Sequence, residues 1–214
     1  MRYYKRYMME CALSEEPAWE DRLPPGYQWV PWSEAMVERH AAVLYQSFQD
    51  SPDARILPSL ATVTGCRVLV RSLARWRGFC PSANWLITHQ DKEDVACLQA
   101  ALDSGEYGVI INLAVLLPHR GRGLGTALLR RGLSGLYRAG ARRVYLEVTA
   151  SNLAAVHLYR RHQFRCYKTL YRETIAGEVG TQGPGAAGET IASPESVPSE
   201  REEPPLPPPL SNPD

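Results

Sequence analysis

No stretch of this chain approaches the run of about eighteen apolar residues that crosses a bilayer. Residues 1–10 are basic and aromatic, with no apolar core behind them of the kind a secretory signal carries. The expectation is a soluble, cytoplasmic protein. Cys-x-x-Cys pairs are missing as well. The five cysteines, at 11, 66, 80, 97 and 166, are odd in number and widely spaced, which argues for reduced, mostly buried thiols. None has a base beside it in sequence that would make it a nucleophile, and no metal is expected. Internal repeats are absent. Net charge is nearly absent too, at +1, but that total hides an asymmetry. Residues 118–172 carry twelve Lys/Arg against one acid, Glu147, a balance of +11, whereas residues 173–214 carry eight acids against Arg201, a balance of −7.

With 214 residues and 44% hydrophobic content, the chain can bury one sizeable core with length to spare. Residues 177–214 contain five glycines and nine prolines and almost nothing aromatic, a composition that cannot repay the entropy of ordering. One domain over 1–172 and a disordered acidic tail over 173–214 are expected.

Within residues 1–172 glycine is most concentrated at one place. Arg120-Gly121-Arg122-Gly123-Leu124-Gly125 follows the apolar run 109–117 and opens a helical pattern. The first amides of a helix lack intrahelical partners, and its dipole places about half a positive charge there, so an anion fits readily. Glycines remove side chains that would keep a pyrophosphate from those amides, and Arg120 and Arg122 add charge. A tight turn before a helix would use the same residues. Two rival phosphate loops fail. A Walker loop needs Lys-Ser or Lys-Thr after its last glycine, where this chain has Thr126-Ala127, and the third glycine of a dinucleotide fingerprint is replaced by Thr126 or Leu128. Arg-x-x-Gly-x-Gly is the spacing that remains.

Around this loop, residues 27–31 read as a strand, Ser33 as a helix N-cap and 35–48 as an amphipathic helix. Residues 64–76 form a second helical pattern, with Val68, Leu69, Leu73 and Trp76 on one stripe and Arg67, Arg71 and Arg75 on another. Strands are expected at 85–88, 95–102 and 107–117, the last a continuous apolar run suited to the centre of a sheet. A helix over 124–139 closed by Gly140, a strand over 144–149, a helix over 153–162 and a strand over 165–171 complete an α/β pattern with one mixed sheet.

In the strand 144–149 a period of two puts Val144, Leu146 and Val148 on one face and Tyr145, Glu147 and Thr149 on the other. Glu147 is therefore outside the aliphatic layer. As a carboxylate amid positive charge it suits a general base or an amine anchor, and equally a salt bridge to an arginine. Asn152 stands where a helix N-cap belongs. Tyr159 projects from the same helical face as Ala155, so its hydroxyl could reach a leaving thiolate, or the ring could simply pack.

Taken together, Leu113-Ala114-Val115, Arg120-x-x-Gly123-x-Gly125, Leu146-Glu147-Val148, Asn152 and Leu158-Tyr159 resemble the acetyl-CoA-binding core of the GCN5-related N-acetyltransferases (GNAT). The resemblance spans about 107–171 and is closest to ribosomal-protein N-terminal alanine acetyltransferases. It implies a mixed central sheet with helices on both faces and two adjacent strands splayed to admit the cofactor. It also implies that Leu113, Ala114 and Val115 pair with the pantetheine arm and that Gly121, Arg122, Gly123, Leu124, Gly125 and Thr126, beside Arg120, hold the pyrophosphate. Asn152 would bond the cofactor arm, Tyr159 would protonate the CoA thiolate, and Glu147 would take a proton from a primary amine acceptor, small molecule or peptide. Two departures stand out. Gln163-Phe164 replaces the usual Gly-Phe, taking from the turn the residue best suited to a left-handed angle, and Leu116-Leu117-Pro118 lacks the usual acid. Two other functions compete. One is a CoA-binding module without catalysis; the other is a nucleic-acid binder, for which arginines without interleaved exposed aromatics are a weak footprint.

Overall fold

A computed structural model describes residues 3–15, 22–90 and 93–174, and at its centre is a strand almost without an exposed surface. This strand, β4 (Asp94–Leu102), is buried from Val95 to Ala101 because helices cover the sheet on both sides, as its near-continuous apolar run requires. Six more strands complete the sheet: β1 (Tyr3–Ala12), β2 (Tyr27–Pro31), β3 (Trp85–His89), β5 (Tyr107–Val115), β6 (Arg143–Thr149) and β7 (Arg165–Glu173). Their order is β2-β3-β4-β5-β6-β1-β7. Neighbours run antiparallel except β5 and β6, which are parallel and joined through α4 (Leu124–Arg138).

On one face α4 and α5 (Leu153–Arg161) pack Leu128, Leu129, Leu133 and Val156 against Leu98, Ile110 and Leu146. On the other, α1 (Val37–Phe48) and α3 (Val63–Ala74) pack Val43, Leu44, Cys66 and Val70 against Leu86, Cys97 and Ala114, with the short α2 (Pro52–Ile56) between them in sequence. The mixed sheet layered by helices agrees with the sequence expectation. Of the five thiols, four are buried and Cys166 is exposed, and burial pushes Cys11 up to about 12 and Cys66 up to about 11, so neither is a ready thiolate. Among the described residues no helix is long and apolar enough to cross a membrane. The expected acidic tail lies, beyond Thr174, outside the described residues.

The feature that positions a site is a parting of two strands. β5 and β6 pair only from Tyr107–Arg143 to Ile110–Leu146. At that point the register between β4 and β5 shifts, so Ile111 is an extra residue on β5. A bulge bends its strand, and residues 111–115 continue with β4 alone as partner while β6 runs on through Glu147, Val148 and Thr149.

Two local expectations need correction, and one strand was not anticipated. The N-terminal segment is a strand, with Met9 and Cys11 buried in the α4 layer, and it lies between β6 and β7. In α3 the buried row is Cys66, Val70 and Leu73, whereas Val68 is 57% exposed and Trp76 37%. Arg67 and Arg71, beside that row, reach Glu38 of α1 at 2.7 and 3.2 Å. Ser33 makes no side-chain cap; a 3-10 turn over Glu34–Met36 leads into α1 instead.

The expected strain after α5 is present. Gln163 has φ +65°, alone at positive φ among the described non-glycine residues. Phe164 then donates its amide to the Tyr159 carbonyl at 3.1 Å and packs on the Tyr159 ring, centroids 5.7 Å apart. Because glycine enters the left-handed region without a Cβ clash, Gln163→Gly is expected to stabilise the fold by about 1 kcal/mol, read as a rise of a few degrees in thermal unfolding.

Candidate functional site

The chain leaves β5 through a 3-10 turn, Leu117–His119, and Arg120 ties that turn down by donating from Nε to the Val115 carbonyl at 2.9 Å. Gly121 and Gly123 follow at φ +75° and +83°, angles that suit glycine, and a Cβ on either would meet open space. Gly123 is the N-cap of α4, and neither a side-chain cap nor a first-turn acid stands there. The amides that open α4 are thus without intrahelical partners, at the positive end of the helix dipole. Arg22, Arg122 and Arg130 line a groove of about 290 Å³ with Gly123 and Thr126. Uncapped amides, open glycine positions and three guanidinium groups fit a diphosphate.

Beside this loop lies the gap between the parted strands. Ala114 is buried toward the α1 and α3 layer, and Leu113 and Val115 pack toward α4. Gly125 sits where α4, α5 and β5 meet: its missing Cβ would stand 3.5 Å from Leu158, 3.7 Å from Leu113 and 3.9 Å from Val115. Loop and gap therefore share one end of the sheet, beyond the carboxyl ends of β5 and β6, where open α/β sheets take ligands. Asn152 caps α5, its Oδ1 accepting from the Ala155 amide at 3.2 Å, and it is exposed.

Tyr159 is 7% exposed, within the core. Burial and, after it, the negative charge of Asp53 raise the phenol above its ordinary range, so it holds its proton at neutral pH. Glu147 is clamped. Its Oε1 lies 2.5 Å from Arg6 Nε and 3.3 Å from Arg172 Nε, and its Oε2 accepts from Arg172 Nη2 at 3.1 Å. Burial acts to raise this carboxyl, but the Arg172 hydrogen bond and the charges of Arg6 and Arg172 outweigh it and hold the group below its usual range. The arginine partner foreseen as an alternative for Glu147 is thus present twice, and the residue is ionised.

Several neighbours were not anticipated. Arg6 Nη1 also donates to Asp53 Oδ1 at 2.5 Å and to Thr149 Oγ1 at 2.8 Å, and Thr149 Oγ1 donates to Asp53 Oδ1 at 2.9 Å. Glu147 and Thr149 lie on the predicted face of β6, so Thr149 was legible from the alternation. Arg130 was legible too, one helical turn beyond Thr126. Arg6, Arg22 and Asp53 arrive from distant segments, and no local pattern marks them.

Comparison with known proteins gives the same outline. The model of the acetyltransferase (GNAT) family matches residues 42–164, more than half of the chain. An N-alpha-acetyltransferase of Sulfolobus acidocaldarius is 40% identical over 72 residues, 33% of this chain and 43% of that protein. N-alpha-acetyltransferase 30 of Schizosaccharomyces pombe is 37% identical over 70 residues, 33% of this chain and 47% of that one. The chain thus spans under half the length of these relatives. Among solved structures, a GCN5-related N-acetyltransferase from Sphaerobacter thermophilus superposes with TM-score 0.62 at 24% identity, over 79% of this chain and 50% of that one. The ribosomal-protein-S18-alanine N-acetyltransferase of Escherichia coli does so with TM-score 0.52 at 17% identity, over 73% and 99%. At such identities these structures show the shared fold.

Proposed function

Since this chain belongs to the acetyltransferase (GNAT) family, we propose that it transfers an acetyl group from acetyl-CoA to a primary amine. The observation that carries this reading is the parting of β5 from β6 beside the uncapped, glycine-bared start of α4. Residues 121–126, with Arg22, Arg122 and Arg130 around them, would bind the diphosphate. The β5 edge at Leu113, Ala114 and Val115 would pair with the extended arm, and Asn152 would donate to it from the side-chain amide left free by its capping oxygen. Bound acetyl-CoA supplies the activated acyl thioester; this chain supplies orientation and proton management.

An acceptor amine has a pKa near 10 and reaches the site protonated. Glu147, ionised between Arg6 and Arg172, takes up that proton through water, and Tyr159 gives its own to the sulfur as the C–S bond breaks. The α-amino group of a peptide is the acceptor that the relatives' names support. A thiol-release assay of the purified protein with acetyl-CoA over peptides, polyamines and aminoglycosides tests the whole reading. Turnover on an amine is expected. Tight acetyl-CoA binding without turnover on any of them would leave a CoA-binding module in its place.

A further inference from the structure

Two carboxylates stand at the mouth of the parted strands, and they differ in what they have left to offer. Both oxygens of Glu147 are taken by arginines. Asp53, on α2 and therefore on the α1 and α3 side of the sheet, has Oδ1 occupied by Arg6 and Thr149, while its Oδ2 accepts no hydrogen bond from any described residue. Its side chain is 17% exposed, enough for that oxygen to be reached. Thr149 ends β6 beyond the point where β5 departs, which puts Asp53 at the splay. The charge of Asp53 is also felt at the Tyr159 phenol, so the two groups are near one another. A cation entering from this side finds on Asp53 an oxygen that no arginine holds, whereas both oxygens of Glu147 already face arginine and keep room only for water.

We propose that Asp53 receives the ammonium group of the acceptor through Oδ2, and that Arg6, from the N-terminal strand, positions it. This deepens the acyl-transfer reading and rests on it. Arg6 is a positioning residue: one guanidinium spans Asp53, Thr149 and Glu147, fixing both carboxylates relative to β6. Asp53 discriminates by charge, since a buried hydrogen bond to a charged partner is worth more than one between neutral groups. A plain staple holding α2 to the sheet would show no such discrimination.

The test compares the peptide that serves best in the amine panel with the same peptide carrying an aminooxyacetyl group in place of its terminal amine, a nucleophile that is neutral at pH 7. In Asp53→Asn, which keeps the shape and the Oδ1 contacts, kcat/KM on the amine peptide is expected to fall by about 100-fold, mainly through KM. On the aminooxy peptide it should fall by no more than about threefold, and acetyl-CoA affinity by calorimetry should hold within about twofold. Arg6→Lys keeps the charge but not the two-armed contact, and about a tenfold loss confined to the amine peptide is expected; because Arg6 also holds Glu147, should Asp53→Asn unfold it is Asp53→Ser, read on the same two peptides, that decides. Equal losses on both peptides, or no loss on the amine in folded protein, would overturn the proposal. Absence of turnover in the wild type would instead remove the acyl-transfer reading, and this proposal with it.

Discussion

Tyr159→Phe is expected to lower kcat by about 10²–10³-fold while KM for the amine, acetyl-CoA affinity and thermal stability stay near wild type. Only the hydroxyl is lost. The ring that packs on Phe164 and fills the core beside α5 is unchanged, so the variant separates proton donation from packing. The size of the effect follows from the phenol's surroundings. Burial and the nearby Asp53 charge disfavour the phenolate, so the proposed donor holds its proton at neutral pH. Steady-state rates measured with calorimetric affinity for acetyl-CoA provide the check. An unchanged kcat would mean that Tyr159 is packing alone and that the sulfur leaves without it.

Gly123→Asp is expected to leave the fold intact and weaken acetyl-CoA binding by about 100-fold or more. Glycine stands there at φ +83°, an angle that aspartate tolerates better than most residues, and an aspartate at an N-cap can accept from the free amides of the first turn. Stability should therefore change little. Binding should suffer because the carboxylate would occupy the amides proposed to hold the diphosphate. It would also set like charge against it, at a cost of about 3 kcal/mol for unit charges roughly 5 Å apart at an effective dielectric near 20. Calorimetric titration with CoA, run beside a thermal melt, tests both halves. Wild-type affinity in this variant would show that the start of α4 does not grip the diphosphate.

How much of this was legible depended on the range of the forces involved. The glycine loop, the helix it opens and the alternation of β6 are local patterns, and each stands where the sequence placed it, as does the left-handed turn at Gln163. The facing of α3 was misread because Cys66, Val70 and Leu73 share a helical period that competes with the stripe through Val68 and Trp76, and only packing against the rest of the fold selects between the two. The strand at Tyr3–Ala12 was missed for a related reason. Its alternation is short and mixed with Lys5, Arg6 and Glu10, and the strands that bury Met9 and Cys11 follow more than a hundred residues later. With β1 went Arg6, and with Arg6 the network that joins Asp53 to Glu147.

The position of β1 also bears on how this chain folds. Among the described residues its sheet neighbours are β6 and β7, more than a hundred residues further along the chain, so β1 finds its partners only once those strands are in place. Contacts of such long sequence separation slow folding. Until then its tyrosine-rich edges are unpaired, and unpaired strand edges invite wrong partners. The seating of Arg6 therefore comes with closure of the sheet by β6 and β7, a late event of folding.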